Sequence, residues 1–277
     1  MASAEAILVD EVVALGLERR EARWIVEEFA PGGDDSARSS VLGAAQRRLG
    51  GEPLQYVIGH WPFRSLDLDL DNRVLIPRPE TEELVDVAIG ELVRADASAP
   101  VIADLGCGSG AIGISLLVEL AERGVRSSLI AVDSSPGALA VARRNAIKHH
   151  QVAVTFVESN WFNGVDPALR GRFDLIVANP PYVAADEFIS LDQVLRYEPY
   201  AALVAGDMDG IRGFADVAQI ITTAVSWLST RGVLVVEHGA DQGPAARAAA
   251  LDAGFADVAT TLDASGHERM LVARVAR

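Results

Sequence analysis

Beyond Pro100 the chain alternates short apolar runs with helical patterns, and this alternation limits the possible folds more than any other feature. The runs are "VIADLG", "SLIAVD", "AVTFVES", "FDLIVAN" and "GVLVVEHG". Helical spacing follows the first, second and fifth, and fills "GFADVAQIITTAVSWLS". Strands separated by helices pair in parallel and are covered on both faces, which predicts a doubly wound α/β sheet. The tail "FADVATTLDASGHERMLVARVA" reads as two further strands joined by a turn at Ser265-Gly266, an antiparallel edge to the sheet.

The chain before this region is organised differently. From Ala4 to Leu49 the apolar spacing is helical, broken by "APGGDDS" and ended by Gly50-Gly51, so residues 1–58 are expected to form a small helical bundle. In "FRSLDLDLDNRVLI" the period drops to two, with Leu66, Leu68 and Leu70 on one face and Asp67, Asp69 and Asp71 on the other. Residues 59–76 are therefore expected to form a β-hairpin linker turning near Asp71-Asn72, and residues 77–277 the main domain.

Half of the 277 residues are apolar, enough for a sizeable core. No apolar run reaches the length of a membrane helix, and "MASAEAILVDE" lacks a basic signal region, so a cytoplasmic protein without membrane contact is expected. A single cysteine, Cys107, allows no internal disulfide. The histidines, His60, His149, His150, His238 and His267, show no metal-ligand spacing, and no catalytic metal is expected. The formal charge is −15, and neither half is basic: residues 1–100 carry 10 Arg against 19 acids, the remainder 14 basic residues against 20 acidic. Nucleic-acid binders draw much of their affinity from phosphate neutralisation, so a nucleic-acid partner is disfavoured.

The first strand runs directly into "DLGCGSGAIGISL", placing Gly106, Gly108 and Gly110 where strand turns to helix and a ligand approaches backbone amides. The second strand ends at Asp133, whose carboxylate is placed to accept from both hydroxyls of a ribose. Gly108, Gly110 and Gly113 also spell the dinucleotide pattern G-x-G-x-x-G, so the loop alone fits NAD and S-adenosylmethionine equally. Two features favour the second. The strand ends in Asp104-Leu105-Gly106, an acid suited to a methionyl ammonium, and no tyrosine is followed four residues on by the lysine that hydride chemistry favours.

"DLIVANPPYVA" ends a buried strand with Asn179, Pro180, Pro181 and Tyr182. The prolines remove two donors and stiffen the chain directly after Asn179. A planar amide or amino nitrogen is a poor nucleophile, and two acceptors for its two hydrogens let charge leave as it attacks. Asn179 Oδ1 and the Pro180 carbonyl suit that task, with Tyr182 packing on the flat face of the substrate group.

With these residues in place, the chain resembles the bacterial release-factor glutamine N5-methyltransferases. The resemblance rests on "GEPLQYVIGHWPF", "LIPRPETE", "DLGCGSGAIGI", "AVDSSPGALAVARRNA", "NWF", "VANPPYV", "RYEPYAALVAG" and "VVEHGADQG". It implies a class I S-adenosylmethionine-dependent fold, Rossmann-like, with a seven-stranded sheet, an antiparallel terminal hairpin and a small N-terminal helical domain. It further implies S-adenosyl-L-methionine held by Asp104, Gly106, Cys107, Gly108, Ser109, Gly110, Asp133, Trp161 and Asn179. The substrate amide would be gripped by Asn179, Pro180, Pro181 and Tyr182, the substrate being the glutamine of the Gly-Gly-Gln motif in peptide-chain release factors, with the bundle docking that protein. "NPPY" alone is shared with amino-methyltransferases acting on RNA or DNA bases, which are the alternative. Asn160 stands where the family commonly has Asp. Arg78 and Glu80 are expected at the substrate entrance or in a structural ion pair, and Glu237 and His238 in support of the cleft.

Overall fold

The structure, a computed structural model, describes residues 3–276 apart from the side chains of Asp35 and Gln193; Met1, Ala2 and Arg277, at the outer ends of the expected domains, lie outside the described residues. The N-terminal bundle comprises α1 (Ala4–Ala14), α2 (Arg19–Phe29), α3 (Arg38–Leu49) and a short α4 (Leu54–Ile58). Ser3 caps α1, its hydroxyl accepting from Ala6 N at 3.2 Å. Leu8, Val12, Ile25, Val26, Val41 and Val57 bury a core of their own.

The hairpin follows as β1 (His60–Phe63) and β2 (Leu66–Asp69). Leu66, Leu68 and Leu70 are buried as the alternation predicts. The turn, however, lies at Arg64-Ser65 and not near Asp71-Asn72, because the whole alternating run belongs to β2 and its exit. Arg64 takes a left-handed conformation (φ 52°) that its residue type disfavours. Tertiary contacts hold it there: its N–H donates to Glu82 Oε1 at 3.1 Å, and its guanidinium donates to the Glu82 carbonyl, Asp86 and Glu119. A turn does occur at Asp71, whose carboxylate accepts from Arg73 N at 3.1 Å, but it leads the chain out of the hairpin.

The main domain continues with α5 (Pro79–Arg94), β3 (Val101–Leu105), α6 (Ala111–Glu122), β4 (Ser128–Asp133), α7 (Pro136–Lys148), β5 (Val154–Glu158) and β6 (Phe173–Ala178). After the short α8 (Ala185–Ser190) and α9 (Tyr200–Leu203) come α10 (Ala215–Ala224), β7 (Leu228–Glu237), α11 (Gly243–Asp252), β8 (Asp257–Leu262) and β9 (Glu268–Arg274). The seven-stranded sheet has the order β5-β4-β3-β6-β7-β9-β8, parallel up to β7 and antiparallel beyond. The terminal hairpin turns through Ser265-Gly266, where Gly266 has φ 83°.

Sheet order reverses between β3 and β6, the place where open α/β sheets bind ligands at their carboxyl ends. One face of the sheet packs on α5, α6, α7 and the hairpin through Ile102, Leu175, Val177, Val233 and Val235. The other packs on α10 and α11 through Ala103, Leu105, Ile176, Ala178, Leu234 and Val236. Among the described residues no helix is long and apolar enough to cross a membrane.

Candidate active site

Strand register builds the site. Leu105 pairs with Val132 on one side and with Ala178 on the other, and Ala178 pairs in turn with Val236. The residues that follow these partners, Asp133, Gly106, Asn179 and Glu237, therefore stand in a row across the carboxyl ends of four adjacent strands. Side chains alternate along a strand, so Asn179 and Glu237 share the face of Val177 and Val235, the face covered by α5.

A cavity of about 430 Å³ opens over this row, lined among others by Leu75, Gly106, Gly108, Asp133, Trp161, Asn179, Pro181, Tyr200 and Asp216. On its glycine side, Gly106, Gly108 and Gly110 have φ of 72°, 54° and 83°, in the left-handed region glycine tolerates. A Cβ on Gly106 would lie 3.4 Å from the Trp161 ring, so glycine there leaves the space between loop and indole open. Asp133 accepts from Gly108 N at 2.9 Å and from Ser135 N at 2.8 Å, which ties the end of β4 to the loop. Burial raises its pKa. Trp161 donates from Nε1 to Asp216 Oδ1 at 3.2 Å.

On the other side, Asn179 Nδ2 donates to Thr81 Oγ1 at 3.0 Å, and Thr81 Oγ1 donates to Glu237 Oε2 at 2.9 Å. The Tyr182 hydroxyl donates to Glu237 Oε1 at 3.1 Å. Burial pushes the Glu237 pKa up, opposed by these two hydroxyls and the charge of Arg269 and assisted by Glu80. The segment after Asn179 is braced from behind: a Cβ on Gly213 would stand 2.2 Å from the Tyr182 carbonyl oxygen, so only glycine fits there. Val183 N donates to the Leu203 carbonyl at 3.0 Å, and Ala205 N to the Val183 carbonyl at 3.0 Å, which attaches the wall around Tyr200 to the same loop. Arg78 pairs with buried Glu198 at 2.6 Å, and Glu198 also accepts from Ile76 N at 3.0 Å, so Arg78 forms an ion pair that fixes this wall. Tyr197 hydroxyl donates to the Gly50 carbonyl at 2.9 Å, joining the wall to the bundle.

Of the residues expected from sequence, Gly106, Gly108, Asp133, Trp161, Asn179 and Pro181 line the cavity together. Asp104, Cys107, Ser109, Gly110, Pro180 and Tyr182 adjoin these residues in sequence and are not themselves among the lining residues. Asp104 is fully buried, its Oδ2 accepting from Gly113 N at 2.9 Å and its Oδ1 without a hydrogen-bond partner among the described residues; burial pushes its pKa up to about 7. Ser109 offers its carbonyl to Asn145 Nδ2 at 2.9 Å. Asn145 also bonds Asp69 N and O at 2.7 and 3.1 Å, clasping the hairpin to the glycine loop. Thr81, Asn145, Tyr200 and Asp216 carry parts of the site that motif reading did not single out. Thr81 sits within "IPRPETE", and a hydroxyl among acids at a helix start was the available signal.

Comparison with known proteins bears on the family and the fold. The Methyltransferase small domain family model matches residues 85–195. Over 245 residues, 86% of this chain and 80% of the relative, the chain is 40% identical to the release factor glutamine methyltransferase of Haemophilus influenzae. The chain belongs to the release factor glutamine methyltransferase family. The Burkholderia pseudomallei member is 39% identical over 85% of this chain and 80% of that protein. Among solved structures, a methyltransferase from Pyrococcus furiosus has the same fold, with a TM-score of 0.53 at 15% identity over 87% of this chain and 99% of that one. The family's cofactor is S-adenosyl-L-methionine, with S-adenosyl-L-homocysteine as product. The cavity fits such a group: glycine amides at a helix start, a carboxylate at the end of β4 and an indole held over Gly106 by Asp216.

Proposed function

We propose that this protein transfers a methyl group from S-adenosyl-L-methionine to the side-chain amide nitrogen (N5) of the glutamine in the Gly-Gly-Gln motif of peptide-chain release factors. Family membership supports the reaction, and the observation that carries the site assignment is the orientation of Asn179. Its nitrogen is committed to Thr81, which leaves Oδ1 as the arm available to the cavity that Asn179 lines.

When bound, S-adenosyl-L-methionine supplies a methyl group on a sulfonium centre. Gly106, Gly108, Asp133 and Trp161 would hold it, the loop through backbone amides and Asp133 through its carboxylate. Asn179 Oδ1 and the Pro180 carbonyl accept the two amide hydrogens of the glutamine and draw charge out of the nitrogen as it attacks. Proline removes a donor but keeps its carbonyl, so Pro180 loses nothing needed for this role. Pro181, Gly213 and the bond between Val183 and Leu203 hold those acceptors still. Positioning of this kind contributes up to about 7–11 kcal/mol, and the proton need leave only after the new bond forms.

The bundle exposes Ile7, Leu15 and Leu49, which supports a role in docking the release factor. Release factors work on ribosomes, so the cytoplasm is the expected compartment. Peptide mass spectrometry of a release factor incubated with enzyme and S-adenosyl-L-methionine tests the proposal. The expected result is one added methyl on the Gly-Gly-Gln glutamine. An unmodified glutamine overturns the substrate, and methylation of RNA or DNA bases in its place favours the amino-methyltransferase alternative.

A further inference from the structure

A carboxylate only accepts hydrogen bonds, a hydroxyl donates one and accepts others, and a primary amide has one donating and one accepting arm. Joined in series, the three fix the direction of every bond between them. Glu237, at the end of β7 and 2% exposed, accepts on both oxygens, from Thr81 at 2.9 Å and from Tyr182 at 3.1 Å. The single proton of Thr81 is thereby spent on Glu237, and Thr81 can only accept from Asn179, whose Nδ2 donates to it at 3.0 Å. These residues come from three separate elements: α5, the loop after β6, and β7. Thr81 is 3% exposed, so water does not substitute for its partners.

We propose that Glu237 and Thr81 are positioning residues that set the polarity of the Asn179 amide, so that the site accepts a substrate nitrogen bearing two hydrogens and rejects a carboxylate of the same shape. The proposal rests on the assignment of a glutamine amide as the methylated group. An amide in place of the Glu237 carboxylate reverses the series. Its NH2 donates to Thr81, its oxygen still accepts from Tyr182, and the Thr81 proton turns to Asn179 Oδ1. Asn179 then presents its own NH2 to the cavity, opposing the substrate NH2 and attracting a carboxylate. Thr81, Tyr182 and Asn179 each keep a hydrogen bond in both arrangements, so Glu237→Gln alters direction while preserving the packing.

The test uses the full chain and its Glu237→Gln, Thr81→Val and Thr81→Ser variants. Three quantities are measured: steady-state methylation of a release factor carrying Gly-Gly-Gln, cofactor Kd, and the Kd of the same release factor in its Gly-Gly-Gln and Gly-Gly-Glu forms. Glu237→Gln is expected to lower kcat about tenfold or more, hold cofactor Kd within about twofold, and shift the ratio of the two release-factor Kd values about tenfold toward Gly-Gly-Glu. Thr81→Ser recovers most of the turnover lost in Thr81→Val, because it restores the hydroxyl. An unchanged Kd ratio in Glu237→Gln, or equal losses of kcat and cofactor affinity, overturns the proposal. Absence of methylation by the unaltered enzyme overturns the substrate assignment instead, and the Kd ratio then decides the polarity on its own.

Discussion

The two ends of the strand-end row are built in opposite ways. The glycine side is local: β3, its loop, α6 and β4 are consecutive, and the bond from Gly108 to Asp133 spans 25 residues. The amide side is assembled from afar, with 98 residues between Asn179 and Thr81 and 156 between Thr81 and Glu237. The edge proposed to hold the cofactor is thus carried by one strand-loop-helix unit and its neighbour. A directional acceptor needs a whole fold to orient it.

The comparison is broken first at Asn179. Asn179→Ala removes an acceptor from the attacking nitrogen and is expected to lower kcat about 10²–10³-fold, with cofactor affinity nearly intact. An equal fall in both, measured by single-turnover kinetics beside calorimetric cofactor binding, would place Asn179 on the cofactor side. Asp133→Ala should do the reverse, weakening cofactor binding about 10–100-fold through the lost acceptor and the loosened Gly108 amide. If its cofactor Kd instead stays at the wild-type value, the glycine side has been assigned wrongly.

Asn145→Ala tests whether the two sides share a scaffold. It removes the clasp between hairpin and glycine loop and is expected to cost roughly 1–3 kcal/mol in urea unfolding, with cofactor affinity falling as the loop loosens. The last effect is read as a pH slope and is expected at Asp104. Its folded-state pKa, about 7, lies above the ordinary value of 3.8, so between those pH values the folded protein binds more protons than the unfolded chain. Stability contributed at this site is present below the ordinary value and is lost as pH rises toward 7. Asp104→Asn keeps an acceptor for Gly113 N and should flatten that slope in melts run from pH 4 to pH 8, approximate limits chosen to bracket the titration. An unaltered slope would show that Asp104 does not titrate in this range.

The same contrast explains what the sequence disclosed. Gly106, Gly108 and Asp133 were legible because their spacing follows from one repeat of strand and helix. Asn179 was legible because two prolines after a buried strand are unusual. The partners of Asn179 were not, since nothing local tells Thr81 that Glu237 will stand beside it; only the pairing of β6 with β7 and the packing of α5 do. The hairpin turn failed for a related reason. Arg64 is a poor turn former by residue type, and Glu82, Asp86 and Glu119 supply the reason it turns there. The alternation of strands and helices, the helical bundle and the terminal hairpin were all carried by apolar periodicity, whereas α8 and α9 are too short to show a clear period.

Because the row is set by register, it also dictates where the chain tolerates changes in length. One residue inserted within β6 would advance the strand by about 3.3 Å and turn Asn179 toward the layer of Phe214 and Val217, away from Thr81. A deletion would do the same in the other direction. Insertions in the connection between α8 and α9, by contrast, leave every strand end in place. Length variation among functional relatives of this chain should therefore gather in the part of that connection before Tyr197 and at the hairpin ends, and be missing from the four strands that end at Asp133, Gly106, Asn179 and Glu237.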